Sequence, residues 1–229
     1  MDSRIKTKEQ IDLMIKSLRI AEKALWDVQK YLKPGVTEKQ IATKLWQSMK
    51  KQGAQKLAFE TIVAFGTSAE DMHHSASNVK LSETDLIMID LGCVYKGYCS
   101  DLTRTFCLKP GKREKELFNI IKKAQIAAIK AIKNKSKGCF VDGVARKLLL
   151  KAGYGKREFQ HGLGHGVGTV VHENPRLRPK ARSYLRTGMV VTVEPGVYLD
   201  WGGVRLEDMI LVTENGYKNL TKFPKNLKI

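Results

Sequence analysis

The hydrophobic positions along the chain switch between helical spacing and short apolar runs. Apolar residues that recur every three or four positions predict four helices, at residues 8–32, 37–49, 113–133 and 141–151. The first helix ends before Pro34 and Gly35, because neither residue continues a helix readily. Thr37 and Gln40 form a capping box that begins the second helix. Each pair of helices is followed by a stretch that is typical of β structure.

Apolar runs bounded by turn residues predict the strands. They lie at residues 60–65, 86–92, 99–108, 189–194 and 204–212. The second and third strands form a hairpin around a turn at residues 94–97. The last two strands form another hairpin, with residues 201–203 near its turn. Residues 66–74 and the arginine-rich residues 175–186 are predicted to be loops.

A faint internal repeat relates the two halves of the chain. Seven residues between Ala21 and Leu45 match residues that lie 103 positions later. Each half has the order helix, glycine, helix, strands, which indicates a duplicated α+β unit. Because no serine- or proline-rich linker divides the chain, we expect one domain over residues 1–229, without a separate N-terminal domain.

Residues 161–168 read His-Gly-Leu-Gly-His-Gly-Val-Gly. The glycines make a helix costly, at about 1 kcal/mol each relative to alanine, and favour an extended chain with bare backbone on one side. In that form His161 and His165 lie roughly 13 Å apart, at about 3.3 Å per residue. One would then be a metal ligand and the other would face a substrate. A glycine-rich loop with surface histidines is the alternative.

Four carboxylates stand in apolar β segments, where a buried charge is costly unless it is paired or bound to a metal: Asp90, Asp101, Glu194 and Glu207. In the first hairpin, a two-residue turn at residues 96–97 places Asp90 opposite Thr103. Asp101 is then its diagonal neighbour on the same face. The second hairpin repeats the arrangement with its two glutamates. Taken singly, each carboxylate could instead pair with one of the many lysines.

Taken together, the four carboxylates predict a site for two divalent metal ions. Crowded carboxylates repel one another or stay partly protonated, and two divalent cations would balance four negative charges. A neutral His165 would add a nitrogen ligand without changing that sum. Oxygen-rich ligation with one imidazole suits Mn, Co, Fe or Zn, and a pair of such ions supports hydrolytic chemistry.

These five residues and their local motifs resemble those of the pita-bread metallopeptidases, which include methionine aminopeptidase, aminopeptidase P and prolidase. The motifs are His-Gly-Leu-Gly-His around His165, Thr-Val-Glu-Pro-Gly around Glu194, and Gly-Val-Arg-Leu-Glu-Asp around Glu207. The likeness covers nearly the whole chain. It implies an α+β pita-bread fold, with pseudo-twofold duplicated halves and a curved antiparallel sheet covered by helices.

Within that family, the chain is more similar to the Xaa-Pro branch, aminopeptidase P and prolidase. The second histidine of His-Gly-Leu-Gly-His, His172-Glu-Asn-Pro and Glu194-Pro-Gly-Val-Tyr carry this likeness. It implies a dinuclear aminopeptidase that hydrolyses the N-terminal peptide bond of Xaa-Pro substrates. The alternatives are a methionine aminopeptidase, another activity on a small substrate, and a non-catalytic binding protein for RNA or an acidic partner.

The resemblance also implies metal ligands. Asp90 would bind one metal, Asp101 and Glu207 would bridge both, and His165 and Glu194 would bind the other. Arg205 would orient Glu207 or Asp101, and it would also contribute to substrate binding.

The same resemblance implies that three histidines and one glutamate act in substrate binding or catalysis. Glu194 is the candidate for proton transfer. His172 would steady the substrate carbonyl or the tetrahedral intermediate. His161 and His73 would contact the substrate, and His73 would also act in catalysis. Met72 stands where relatives often have proline, so the loop that carries His73 could differ from theirs.

The composition adds one signal, a formal net charge of +18. It indicates either a nucleic-acid partner or a lysine-rich surface, and we favour the surface because the lysines are spread along the whole chain. The apolar runs are too short to span a bilayer, and the first residues lack the apolar core of a signal peptide. Four cysteines without a CxxC pair predict reduced thiols in a cytoplasmic protein. The expected partner is a peptide substrate, and a homodimer stays open.

Overall fold

Two pairs of helices pack against antiparallel sheets. The computed structural model describes residues 2–229. Its helices are α1 (Lys8–Gln29), α2 (Glu38–Lys51), α3 (Lys112–Lys130) and α4 (Gly138–Lys151). The predicted capping box is confirmed, since Thr37 and Gln40 each accept a hydrogen bond from the backbone N–H of the other. An equivalent box at Thr7 and Gln10 begins α1. Within residues 2–229, no helix combines the length and the apolar character that crossing a membrane requires.

The strands follow each helix pair, in the order that the internal repeat predicts. They are β1 (Lys56–Leu57), β2 (Ile62–Phe65), β3 (Ile87–Leu91), β4 (Cys93–Tyr95), β5 (Tyr98–Cys99), β6 (Leu102–Phe106), β7 (Gly164–Gly166), β8 (Glu173–Leu177), β9 (Val190–Val193), β10 (Gly196–Leu199), β11 (Gly202–Arg205), β12 (Asp208–Val212) and β13 (Tyr217–Asn219). The first half holds two three-stranded groups, β1-β4-β5 and β2-β3-β6. The second half holds β10-β11 and the five-stranded order β13-β12-β9-β7-β8.

The alternation of side chains along β3 separates the core from the site. Ile87, Ile89 and Leu91 belong to the hydrophobic core beneath α1 and α2. Met88 packs in a smaller cluster on the other face. Because successive side chains of a strand point to opposite faces, Asp90 shares the face of Met88. The helices therefore cover one face and leave the other for polar groups.

The first predicted hairpin exists, but it is split between two sheets. Asp90 lies opposite Thr103 in the β3–β6 pair, as predicted. The turn at Lys96 and Gly97 joins β4 to β5, and both residues have positive φ angles. A methyl carbon added to Gly92 would overlap the carbonyl oxygen of Ser100. This close approach of two backbones replaces ladder pairing, and Asp101 follows in the break between β5 and β6.

The second predicted hairpin is interrupted in the same way. β9 pairs with β12, whereas β10 pairs with β11. The prediction of a continuous strand over residues 204–212 was wrong, because Leu206 and Glu207 lie between strands. Opposite them, Pro195 follows Glu194, and proline has no backbone N–H to donate a hydrogen bond between strands. Glu194 and Glu207 therefore stand at the ends of strands.

Residues 173–177 form strand β8, although a loop was predicted over 175–186. Pro175 lies within it, which is compatible with a strand at the edge of a sheet because an edge leaves some N–H groups unpaired. The predicted extended conformation of residues 161–168 was too long, since only Gly164–Gly166 forms a strand.

Arg104 and Asp208 form a buried ion pair where the two halves of the chain meet. The Arg104 side chain is 1% exposed and donates to Asp208 Oδ1 at 2.8 Å. It also donates to the carbonyl oxygens of Glu207 (2.5 Å) and Phe223 (2.7 Å). Burial alone would raise the pKa of Asp208, but the charges of Arg104 and Lys225 lower it. The cluster joins β6, β12 and the C-terminal segment.

Replacing Arg104 with methionine is expected to destabilise the protein by about 3–5 kcal/mol. The buried Asp208 carboxylate would keep only Lys225 as a counter-charge, and the carbonyl oxygens of Glu207 and Phe223 would lose their buried donor. Lys109→Met is the matched control. Lys109 and Glu83 also form an ion pair, but their side chains are 67% and 51% exposed, so its loss should cost about 1 kcal/mol or less. Urea unfolding measures both effects, and equal losses would contradict this interpretation.

Candidate metal centre

A cavity of about 680 Å³ lies where the two halves meet. Its lining includes all nine residues that the sequence predicted for the site: His73, Asp90, Asp101, His161, His165, His172, Glu194, Arg205 and Glu207. Most of these side chains come from strands or from the breaks between strands. The interruptions of both hairpins therefore serve to bring acidic side chains together.

Glu207 is fixed by a contact across the two halves. Its backbone N–H donates to the carbonyl oxygen of Thr103 at 3.1 Å. The Thr103 hydroxyl donates in return to Glu207 Oε2 at 2.9 Å. Because Thr103 lies opposite Asp90 in β3, this double link sets the distance between carboxylates of different halves.

Asp101, His165 and Glu207 form a buried cluster that could hold a metal ion. One ligand atom from each lies within 4.8 Å of the others. His165 Nε2 is 3.6 Å from Asp101 Oδ2 and 3.2 Å from Glu194 Oε1. The other ring nitrogen, Nδ1, lies 3.1 Å from the carbonyl oxygen of Gly166, which leaves Nε2 to face the carboxylates. Two oxygen ligands and one imidazole are a donor set that divalent transition metals accept.

The carboxylates show the electrostatic signature of a cation site. Burial, and then the charge of Asp90, raise the pKa of Asp101 well above its ordinary value. Burial, and then the charge of Asp101, do the same to the pKa of Glu207. Asp90 Oδ1 is buried and has no hydrogen-bond partner within residues 2–229. A bound cation would reduce the repulsion and would give the unpartnered Asp90 oxygen a partner. These residues therefore fit divalent metals.

Glu194 and His165 form a close acid–imidazole pair. Burial alone would raise the pKa of Glu194, but its hydrogen bond to His165 and the charge of that ring lower it to about 2. Burial alone would lower the pKa of His165, but Glu194 raises it to about 9. A metal ligand must be a neutral imidazole, so a cation competes with a proton for His165.

Arg205 pairs directly with Asp90, a contact that the sequence analysis did not predict, and the predicted role of orienting Glu207 or Asp101 stays a prediction. Its guanidinium is 2.6 Å from Asp90 Oδ2 and its Nε donates to Thr103 Oγ1 at 3.2 Å. The side chain is 4% exposed, and its position on β11 directs it towards β3. Arg205 reaches Glu207 only through the shared Thr103 hydroxyl. A role in substrate binding stays a prediction.

The two histidines of the glycine-rich stretch approach the same carboxylate. His165 faces Glu194 Oε1, and His161 Nδ1 is 3.9 Å from Glu194 Oε2. His161 Nε2 lies 2.8 Å from the Tyr198 hydroxyl. Burial is the main reason that the pKa of His161 is lowered. His161 is thus a neutral neighbour of the acidic cluster at ordinary pH.

His172 and His73 form the more exposed side of the cavity. The His172 ring packs edge-on against the His165 ring, with centroids 4.4 Å apart. Burial, followed by the charge of His165, lowers the pKa of His172. His73 lies on the loop after β2, where its backbone N–H donates to Asp71 Oδ1. Their roles stay predictions.

Tyr198 and Thr192 belong to the site, but the sequence analysis missed them. Tyr198 accepts a hydrogen bond from Arg205 at 2.7 Å. Thr192 accepts one from the His165 backbone N–H and donates to Glu194 Oε1, both at 3.1 Å. The period of two along β9 would have found Thr192, because it precedes Glu194 by two residues. No charge marks Tyr198 in the sequence. Its partner Arg205 lies on the paired strand β11, and its partner His161 comes from a distant segment.

Solved structures show the class of protein that this fold and site define. The prolidase from Pyrococcus furiosus matches with a TM-score of 0.95 at 41% identity, over 97% of this chain and 66% of that one. The X-Pro aminopeptidase from Thermotoga maritima matches with a TM-score of 0.96 at 36% identity, over 99% and 64%. These matches confirm the predicted pita-bread fold.

Sequence comparison gives the family. The profile of metallopeptidase family M24 matches residues 12–214. The Xaa-Pro dipeptidase of Pyrococcus furiosus is 41% identical over 225 residues, which is 97% of this chain and 64% of that protein. The chain therefore spans less than two thirds of this relative. It belongs to metallopeptidase family M24, as its motifs predicted.

Asp101→Asn is expected to abolish the stabilisation of the protein by Mn²⁺ or Co²⁺. A ligand at about 100 times its Kd stabilises a folded protein by about 2.7 kcal/mol. In metal-free protein the same variant should unfold at a higher temperature, because an ionised carboxylate whose pKa is raised on folding costs stability above its unfolded pKa.

Thermal unfolding with metal and with chelator measures both effects. Asp12→Asn is the matched control, since Asp12 is exposed on α1, and it should change neither midpoint. Wild-type metal stabilisation in Asp101→Asn would show that Asp101 is not a ligand.

Proposed function

We propose that the chain is a metal-dependent peptidase that hydrolyses the bond between an N-terminal residue and a following proline. The observation that carries this proposal is the meeting of four carboxylates and His165 in one cavity. The identity of 41% with an Xaa-Pro dipeptidase supports the choice of substrate. A cavity of about 680 Å³ suits a short peptide.

The proposed metal ligands are Asp90, Asp101, His165, Glu194 and Glu207. Two divalent ions, Mn, Co, Fe or Zn, would balance the charge of the four carboxylates. When bound, such ions polarise a carbonyl group and lower the pKa of a water molecule. Arg205 would keep the second oxygen of Asp90 in place through its 2.6 Å contact.

Glu194 is the proposed proton carrier. A general base must lie within hydrogen-bond reach of the proton that it takes, and Glu194 lines the cavity with both oxygens near histidines. Thr192 donates to Glu194 Oε1 at 3.1 Å and so fixes the orientation of the carboxylate. The second oxygen, near His161, would deliver the proton to the leaving nitrogen of proline.

The histidines would hold the substrate around this carboxylate. His172 stands edge-on to His165 at the exposed side, where it would donate a hydrogen bond to the scissile carbonyl oxygen as negative charge develops there. His161 and His73 would contact the rest of the peptide. Each of these roles extends an expectation from the sequence.

Purified protein supplied with Mn²⁺ or Co²⁺ is expected to cleave Xaa-Pro dipeptides or tripeptides and to leave Xaa-Ala peptides intact. Release of the N-terminal residue, measured by chromatography, checks this. Cleavage of Met-Ala-Ser without cleavage of Xaa-Pro would instead indicate a methionine aminopeptidase. Salt-sensitive RNA binding together with no cleavage under any metal would favour the binding-protein alternative.

Glu194→Gln is expected to lower kcat by at least about 100-fold, because the amide carries no proton between water and the leaving group. Metal content should also fall, since a carboxylate ligand is lost. Glu116→Gln is the control, because Glu116 is exposed on α3. Steady-state kinetics and metal analysis measure both variants, and near wild-type kcat in Glu194→Gln would remove Glu194 from the mechanism.

A further inference from the structure

A lysine from the segment before α1 is buried against the loop that carries His172. The Lys6 side chain is 4% exposed. Its Nζ donates to Glu173 Oε2 at 2.7 Å and to the carbonyl oxygen of Ser3 at 2.7 Å. Glu173 directly follows His172 in the chain. A charge from the start of the chain therefore reaches the cavity wall.

The other oxygen of Glu173 organises the loop itself. Glu173 Oε1 accepts hydrogen bonds from the backbone N–H groups of Thr169 at 2.9 Å and Val170 at 3.4 Å. A methyl carbon added to Gly168 would overlap this oxygen, so glycine is what lets the carboxylate enter the turn. Residues 168–172 are thus folded around one carboxylate.

Lys6 is itself held at both ends. Its backbone N–H donates to the carbonyl oxygen of Gly188 at 2.9 Å. The next residue, Thr7, caps α1 by accepting a hydrogen bond from the Gln10 N–H. The ammonium group is therefore presented from a fixed backbone and not from a freely moving terminus.

We propose that Lys6 is a positioning residue for His172. Its ammonium compensates the Glu173 carboxylate, and this keeps the turn over residues 168–172 closed, with the His172 ring against His165. Without that charge, the largely buried Glu173 carboxylate (15% exposed) would be more stable in solvent. Its movement to solvent would break the hydrogen bonds from the backbone N–H groups of Thr169 and Val170. The inference rests on the proposed function, in which His172 contacts the scissile carbonyl.

The decisive experiment is a double-mutant cycle between Lys6→Met and His172→Ala, with kcat and KM measured on an Xaa-Pro peptide. Lys6→Met should lower kcat about tenfold or more, since a small displacement of a substrate-contacting group has an effect of that order. In the His172→Ala background it should change kcat less than twofold, because its effect passes through His172. Equal losses in both backgrounds would overturn the proposal.

Two further variants separate the charge from the fold. Lys6→Arg keeps the positive charge and should retain kcat within about threefold of wild type. Lys8→Met is the matched control, since Lys8 is the exposed first residue of α1, and it should leave kcat unchanged. If Lys6→Met does not fold, Glu173→Gln tests the same ion pair, with the same expected dependence on His172.

A readout without catalysis keeps this inference separate from the proposed function. In metal-free protein, Lys6→Met should speed amide hydrogen exchange at Thr169 and Val170, while exchange in β9 stays at the wild-type rate. Unchanged exchange at both amides would overturn the proposal even in an active enzyme. If the wild type cleaves no Xaa-Pro peptide, the proposed function fails, and the exchange result still decides whether Lys6 holds the loop.

Discussion

The mutual repulsion of buried carboxylates is the constraint on which the rest of this structure depends. Positive groups offset part of this repulsion, since Arg205 lies against Asp90 and His165 lies 3.2 Å from Glu194 and 3.6 Å from Asp101. The repulsion that is left falls mainly on Asp101 and Glu207, and the pKa of each is raised by burial and by its acidic neighbours. A fold that keeps such groups together gives up stability in its metal-free form, which is a common cost of a functional site.

Repulsion would push these carboxylates apart if their backbones were free to move, and the structure prevents that movement with cross-links. The buried Gln125 amide of α3 donates to the carbonyl oxygens of Val193 and Leu206, both at 3.0 Å. These are the residues immediately before Glu194 and Glu207, so one side chain fixes the spacing of two strand ends. Arg104 adds a link from β6 to the backbone of Glu207. The carboxylates are therefore held close together by the fold itself.

Local patterns predicted those features that depend on neighbours in sequence. The capping box at Thr37 and the placement of Asp90 opposite Thr103 follow from spacing along one or two elements. The breaks in both hairpins did not follow, because they depend on close contacts such as that of Gly92 with Ser100, which only folding creates. The contact of Arg205 with Asp90 was not predicted for the same reason, since β11 reaches β3 only in the folded chain. All nine predicted site residues line the cavity. The four carboxylates were visible as charges in apolar segments, whereas His73, His172 and Arg205 were identified only through the resemblance to the metallopeptidase family.

The exposed side of the cavity is held together by different contacts from those that hold the acidic cluster of Asp90, Asp101, Glu194 and Glu207. Each loop that brings a histidine there closes around a glutamate. Glu38, the first residue of α2, accepts hydrogen bonds from the backbone N–H groups of Phe65 and Ser77 and contacts His74. Burial alone would raise the pKa of Glu38, but these hydrogen bonds lower it, so the carboxylate stays ionised while it holds the loop. Glu173 does the same for the loop of His172. Since Glu38 begins α2 and Lys6 precedes α1, the N-terminal helix pair and the segment before it contact the loops at the exposed side, while the strands of both halves hold the acidic side chains.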